Sequence, residues 1–274
     1  MQNLDLPDAL APATAARPET VALFVSDLHL HESSPATTAL FLDFLARHAV
    51  HARQVYVLGD LFEYWAGDDD LDTPYLRRIV GALRATSEAG VQLFWMAGNR
   101  DFLVGDAFAR AAGMVRLSDP HVVELAGIRF ALAHGDAQCT DDLDYQSFRT
   151  LVRSPQWQQT FLSQPLDKRK AIIDGLRTGS RDAQRGKTMD IMDVNQGAID
   201  TLFADTGASV LVHGHTHRPA LHRHGRLLRC VLPDWDGDVV PPRGGWLAIG
   251  VDGAIRRHDA TGKLLSETAP DARH

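Results

Sequence analysis

A chain of 274 residues, 45% hydrophobic and 23% charged, has an ordinary globular composition and enough length to bury a large core. Its formal net charge of −7 argues against wholesale electrostatic binding to nucleic acid, and no apolar run approaches the ~20 residues needed to span a bilayer. The two cysteines, Cys139 and Cys230, lie far apart without CxxC spacing, which excludes a disulfide framework and a thiolate zinc site and leaves two reduced thiols of a cytosolic protein.

Residues 1–20 are rich in Ala and Pro, carry Asp5, Asp8 and Glu19, and have no basic start. They read as a disordered extension, not a signal peptide. The first strand is expected over 21–25 and runs into SDLHL. A helix follows over 37–48, with Leu40, Phe41, Phe44 and Leu45 on one face. The second strand, 54–58, runs into GDLFE. The next helix, 74–88, has Pro74 near its start and Gly90 just past its end. Strands over 91–96, 128–133 and 209–212 run into AGNRD, AHGD and HGHTH. Residues 141–200 lack strand-like runs and read as a helical insertion, and further strands are expected over 227–232 and 244–251. One core domain is therefore expected over 21–258, with a loose tail from 259 to 274. Alternating strands and helices predict an α/β fold whose ligands gather beyond the carboxyl ends of the strands. The polar clusters sit there.

Asp27 and His29, two apart on an extended segment, point the same way and can share an ion. Asp60 follows a strand and a glycine, and Asn99 offers a neutral amide oxygen. His134 and the alternating trio His213, His215 and His217 follow two more strands, with His215 and His217 on the same side. Oxygen and imidazole donors without thiolate suit Mn²⁺, Fe²⁺ or Zn²⁺ more than Ca²⁺. Asp27, His29, Asp60, Asn99, His134, His215 and His217 are more donors than one ion wants. Two ions ~3.5–4 Å apart would share a bridging carboxylate and clamp a phosphoryl group, and Asp60 is the candidate bridge.

The ordered set DLH, GD, GNRD, HGD and GHTH resembles the calcineurin-like metallophosphoesterases. The longer strings GDLFEYWAGDDD at 59–70, GNRDFL at 98–103 and IMDVN at 191–195 resemble the UDP-2,3-diacylglucosamine diphosphatases of lipid A biosynthesis, over residues 22–235. The resemblance implies a β-sandwich flanked by helices in αββα layers, with a helical lid insertion. It implies one metal on Asp27, His29, Asp60 and His217 and a second on Asp60, Asn99, His134 and His215, with His213 just outside, and Mn²⁺ as the expected ion. It carries substrate contacts to Asn99, Arg100, Asp142, Ser180, Gln184, Lys187 and His215. Position 184 is often Asn in relatives, and Gln184 keeps the amide on a longer stem.

Arg100 stands where many relatives in the superfamily carry a histidine that is a candidate general acid. Arginine is a poor proton donor at neutral pH but grips phosphate oxygens with a bidentate fork. An alkoxide leaving group needs a proton, whereas the phosphate released from an anhydride does not. Arg100 therefore favours anhydride cleavage. The resemblance places attack, by a hydroxide held between the two ions, on the uridine-side phosphorus, giving UMP and the acylated sugar 1-phosphate. From Arg149 to Lys187 there are nine basic and three acidic residues, a local +6 in a chain that is −7 overall. With its apolar residues, the insertion is expected to shelter acyl chains and to face anionic headgroups, as a peripheral protein on the cytoplasmic face of the inner membrane. The alternative reading is another dimetal phosphoesterase, such as a nucleotide pyrophosphatase or a cyclic-nucleotide phosphodiesterase. No nucleic-acid partner is expected.

Overall fold

The computed structural model describes residues 19–184 and 193–269. β1 (Thr20–Val25) is apolar on both sides, so it lies inside a sheet covered on both faces. Phe24 points towards one layer and Leu23 and Val25 towards the other, and all three are buried. β2 (Ala52–Leu58), β3 (Gln92–Met96) and β4 (Met114–Arg116) follow in parallel. β10 (Gly245–Gly250), β11 (Ile255–Asp259) and β12 (Leu264–Thr268) extend the other side antiparallel, giving the order β12-β11-β10-β1-β2-β3-β4. The second sheet joins β5 (His121–Leu125), β6 (Ile128–Leu132), β7 (Val210–His213), β9 (Leu227–Val231) and β8 (Ala220–His224) in that order, with β6, β7 and β9 parallel.

The sheets pack face to face through Phe24, Tyr56 and Met96 on one side and Phe130, Leu132, Val212 and Cys230 on the other. The Phe24 ring lies 5.0 Å from Tyr56 and 6.2 Å from Phe130. On the outer face of the first sheet, α1 (Pro35–Arg47), α2 (Pro74–Glu88) and α3 (Asp106–Ala112) bury Phe41, Phe44, Ile79, Leu83 and Phe108 against Val25, Val57 and Trp95. Each fully buried side chain of this size contributes about 1.5–3 kcal/mol. Pro74 in the first turn and the Thr73 hydroxyl, which accepts from Leu76 N at 3.3 Å, start α2. α7 (Gln196–Thr206) covers the second sheet, laying Ile199, Leu202 and Phe203 on Ala131, Ala133 and Leu211. The layers are therefore αββα, as the resemblance implied.

Two boundaries differ from the sequence reading. The tail expected to be loose from 259 contains β12, which pairs with β11 at the sheet edge. The helical insertion, expected to reach residue 200, consists of α4 (Leu143–Val152), α5 (Pro155–Leu162) and α6 (Leu166–Gln184), whereas α7 belongs to the core layers. The extension over residues 1–18 lies outside the described residues.

The insertion is fastened to the core by the cations that composition had directed outward. Arg169, 3% exposed, bonds Asp69 and the Ala66 carbonyl, and Lys170 pairs with Asp70 at 2.7 Å. Arg149 and Arg153 reach Asp136 in the core. Four of the nine basic residues thus act as internal clamps. Trp157 adds an apolar tie, its ring 6.1 Å from Phe102 and 4.8 Å from Phe161.

Candidate metal centre

Asp27, Asp60 and Asn99 stand just beyond β1, β2 and β3, and His134, His215 and His217 just beyond β6 and β7. Both sheets therefore deliver donors to one rim. The loops after β1 and β2 run side by side, with His29 N donating to Asp60 O at 3.0 Å and Leu30 N to Leu61 O at 2.9 Å. Asp27, His29, Asp60, His215 and His217 all adopt positive φ, between 47° and 68°. That region is costly for residues with a Cβ and is kept where the surroundings enforce it. Gly98 and Gly214 permit the close approach of the loops. A Cβ on Gly98 would overlap the Asp60 carboxylate and backbone N, and one on Gly214 would overlap Asp27 Oδ2 and Ser26 Oγ.

Asp27 is fully buried. Its Oδ2 accepts from Ser26 Oγ at 2.6 Å and from His215 N at 2.9 Å, whereas its Oδ1 has no hydrogen-bond partner. His217 Nε2 lies 3.4 Å from that oxygen and 3.3 Å from His29 Nε2. Asp60 turns Oδ2 towards His29 Nε2 at 3.9 Å and Oδ1 towards His134 Nε2 at 3.7 Å. Asn99 Oδ1 lies 2.9 Å from both His134 Nε2 and His215 Nδ1. Two groups of converging donors result, Asp27 with His29 and His217, and Asp27 with Asp60 and His134. Asp27 is common to both, and Asp60 faces both.

The electrostatics match a cation site. Burial pushes the Asp27 carboxyl up, but the close His217 imidazole and the charges of His134 and His29 outweigh it and hold it well below the carboxylate range. Burial pushes the His134 imidazole down, but Asp60, Asp136 and Asp27 lift it to about 9. Burial, then the His134 charge, holds the His215 imidazole down near about 4. The carboxylates thus demand a positive charge that, in a protein without metal, a proton on His134 supplies. An orphaned buried carboxylate oxygen, facing imidazole nitrogens and an amide oxygen fit divalent cations, and the residues are those singled out from the motifs. His213 stands apart, its ring bonded to Gly214 O at 2.9 Å and Arg229 at 3.2 Å.

The substrate-contact candidates divide. Asn99 and His215 are in the centre, and Arg100 is beside it, its backbone N donating to Asp60 Oδ1 at 2.8 Å. Asp142 caps α4, accepting from Tyr145 N at 3.1 Å. Ser180 and Gln184 belong to the α6 backbone, and their side chains, with the whole of Lys187, lie outside the described residues.

Several residues around the centre were not singled out from the sequence. Glu63 Oε2 lies 3.1 Å from His29 Nδ1, and the Leu58 carbonyl lies 2.9 Å from His134 Nδ1. Such partners fix a ligating imidazole's tautomer and orientation. Asp101, fully buried, accepts from Gly98 N and Leu61 N, both at 2.8 Å, and so locks the two loops that carry Asn99 and Asp60. Asp136, also fully buried, takes Tyr145 Oη at 2.6 Å and Arg149 Nε at 2.9 Å, while Tyr145 lies 6.1 Å from His215, ring to ring. The signal for Asp101 and Asp136 was within the GNRD and AHGD strings. Glu63 sits in GDLFE, three residues past Asp60.

The profile of the calcineurin-like phosphoesterase family matches residues 21–219. The chain belongs to that family. It is 49% identical over 239 residues to the UDP-2,3-diacylglucosamine hydrolase of Aromatoleum aromaticum, covering 86% of this chain and 96% of that protein. It is 47% identical over 234 residues to that of Chromobacterium violaceum, covering 85% and 96%, and 48% identical over 224 residues to that of Escherichia coli O157:H7, covering 80% and 93%. Within the calcineurin-like phosphoesterases the chain therefore sits among the UDP-2,3-diacylglucosamine hydrolases, a family of hydrolases. Among solved structures, zinc-bound Vps29 of Entamoeba histolytica aligns at a TM-score of 0.46 with 12% identity, over 90% of this chain and 97% of that one, a likeness too distant to build on.

Proposed function

We propose that this chain hydrolyses the pyrophosphate of UDP-2,3-diacylglucosamine to UMP and 2,3-diacylglucosamine 1-phosphate, as a step of lipid A biosynthesis. The observation that carries the reading is the rim of Asp27, Asp60, Asn99 and four imidazoles in a chain whose relatives bear that substrate in their names. Asp27, His29, Asp60 and His217 would hold one divalent ion, and Asp60, Asn99, His134 and His215 the other, with Mn²⁺ as the expected metal. When bound, such ions supply Lewis acidity to phosphoryl oxygens and lower the pKa of water.

The protein's own groups then bind and orient. Arg100 is tethered through its backbone to Asp60, and its guanidinium has no carboxylate partner among the described residues, so it is available to a phosphate. Asp142, Ser180, Gln184 and Lys187 are proposed to contact the sugar and its acyl groups from the insertion. α4, α5 and α6 together form the proposed lid. Their exposed apolar side chains, Leu143, Phe148, Leu151, Leu162 and Leu176, gather on this one segment. They support peripheral association with the cytoplasmic face of the inner membrane. No described helix is long and apolar enough to cross a membrane.

The test incubates metal-stripped protein with UDP-2,3-diacylglucosamine in detergent, with and without Mn²⁺, beside a UDP-sugar lacking acyl chains. Mn²⁺-dependent UMP release from the acylated substrate alone is the expected result. Equal cleavage of both would return the site to a general nucleotide pyrophosphatase.

A further inference from the structure

A cavity of about 540 Å³ opens beside the metal centre, walled by His217, Pro233, Asp234, Trp246, Arg257 and Leu265. Among the described residues, Asn99, Arg100, His134, His215 and those of α4, α5 and α6 are absent from its wall. It therefore lies on the His217 flank, whereas Tyr145 of the insertion lies against His215. Within this wall Asp234 is already engaged by Arg243 at 2.9 Å and sits 3.8 Å from His217 Nδ1.

Arg257 is different. It pairs across β10 and β11 with Leu247, so the two side chains share a face, and Leu247 belongs to the core between the sheets. Its neighbour Arg256 points the other way and is matched by Asp252 at 2.6 Å and Glu267 at 2.8 Å. The Arg257 side chain is half-buried and has no hydrogen bond or ion pair among the described residues. A half-buried guanidinium that faces a cavity and pairs with no carboxylate is placed to bind a ligand there. Guanidinium offers five N–H donors and no acceptor, so the ligand must bring oxygens. Pro233, Trp246 and Leu265 offer flat apolar wall, and the volume falls within the ~300–1,000 Å³ usual for small-molecule sites.

We propose that this cavity receives the nucleoside of the nucleotide half of the substrate, with Arg257 donating to oxygens of a pyrimidine or its ribose. The inference rests on the pyrophosphatase reading, in which one half of the substrate occupies the insertion side and the other must leave by the opposite flank.

UMP and inorganic phosphate are titrated separately into Mn²⁺-loaded full-length protein by calorimetry, and UMP inhibition and KM are measured in parallel. The proteins are the wild type, Arg257→Ala, Leu265→Trp, which narrows the cavity from an exposed position, and Arg256→Ala as the opposite-face control. Arg257→Ala and Leu265→Trp are each expected to weaken UMP about tenfold, equivalent to ~1.4 kcal/mol, and to raise KM by more than they lower kcat. Phosphate affinity is expected to stay within about twofold. UMP affinity unchanged in both variants overturns the proposal, as does equal loss of UMP and phosphate, which would make Arg257 a phosphate contact. UMP binding weakened by Arg257→Ala in a protein that cleaves no acylated substrate would keep the nucleoside site and sink the substrate reading.

Discussion

Replacing Asp136 with Asn would separate the charge at the junction of insertion and core from its shape. Asp136 is fully buried, accepts from Tyr145 Oη at 2.6 Å and Arg149 Nε at 2.9 Å, and lies 3.4 Å from Arg153, which also donates to the Gly98 carbonyl at 2.9 Å. An amide preserves one acceptor for Tyr145 but removes the charge that pairs both guanidinium groups, leaving Arg149 only the longer contact with Asp119 at 3.9 Å. Breaking a buried pair in this way costs ~3–5 kcal/mol, and since both arginines are about one-fifth exposed we expect the lower end, ~3 kcal/mol. For a domain of this size that lowers Tm by about 6–12 °C. The pH dependence follows from the carboxyl itself. Burial pushes it up, but the charges of His134, Arg153 and Arg149 outweigh burial and hold it well below its ordinary range. A carboxyl depressed in the fold contributes stability above its unfolded pKa of ~3.9, and loses it as pH falls towards the folded value. Wild type and Asp136→Asn should therefore differ most near neutrality and converge below about pH 4. Calorimetric melts of both proteins in chelator, from neutral pH downward, check this. A variant melting within about 1 °C of the wild type at neutral pH, or a gap that widens in acid, would refute the reasoning.

Glu63→Gln, which weakens the contact with His29 Nδ1, should reduce metal affinity or activity about 10–100-fold, read by titrating Mn²⁺ into stripped protein. Gly98→Ala should cost more than an ordinary surface substitution, because the new methyl must displace Asp60, and bound metal measured by elemental analysis should fall with it. Arg100→His should lower turnover of the pyrophosphate by about 10-fold or more and favour simple phosphate esters; full retention of anhydride cleavage would remove the role given to Arg100. Leu143→Asp with Leu151→Asp, both at exposed positions of α4, should weaken flotation with anionic vesicles while leaving the melt within about 2 °C of wild type.

The sequence showed the rim before the layers around it. Asp27, Asp60, Asn99, His134 and His215 were legible because each closely follows a strand that ends in buried apolar residues and is marked there by a glycine or a polar cluster. β4, β5 and β12 were not. Their three to five residues are partly exposed, and what makes each a strand is the neighbour it pairs with, far away in sequence for β4 and at a bulged edge for β12. α7 and the insertion helices share one helical periodicity, so the pattern of apolar residues could not tell a helix that covers the second sheet from a lid. The charge count failed for a similar reason. A surplus of +6 says nothing about direction, and the acids that turn Arg149 and Lys170 inward, Asp136 and Asp70, lie 13 and 100 residues upstream, outside the segment counted. Arg257 went unread because alternation assigns a face only once the register with Leu247 is known.

The donors hang from two different sheets, Asp27, Asp60 and Asn99 from one and His134, His215 and His217 from the other, with Phe24 and Phe130 between the layers. The rim therefore works as a caliper whose jaws are the two sheets. A truncation such as Phe130→Ala, far from any phosphate, would alter the gap at the jaws before it unfolded anything, so chemistry should be the more sensitive gauge of the sandwich's spacing. Conversely, an ion held between the jaws would rivet the layers together, and chelation would loosen the whole domain, not one loop.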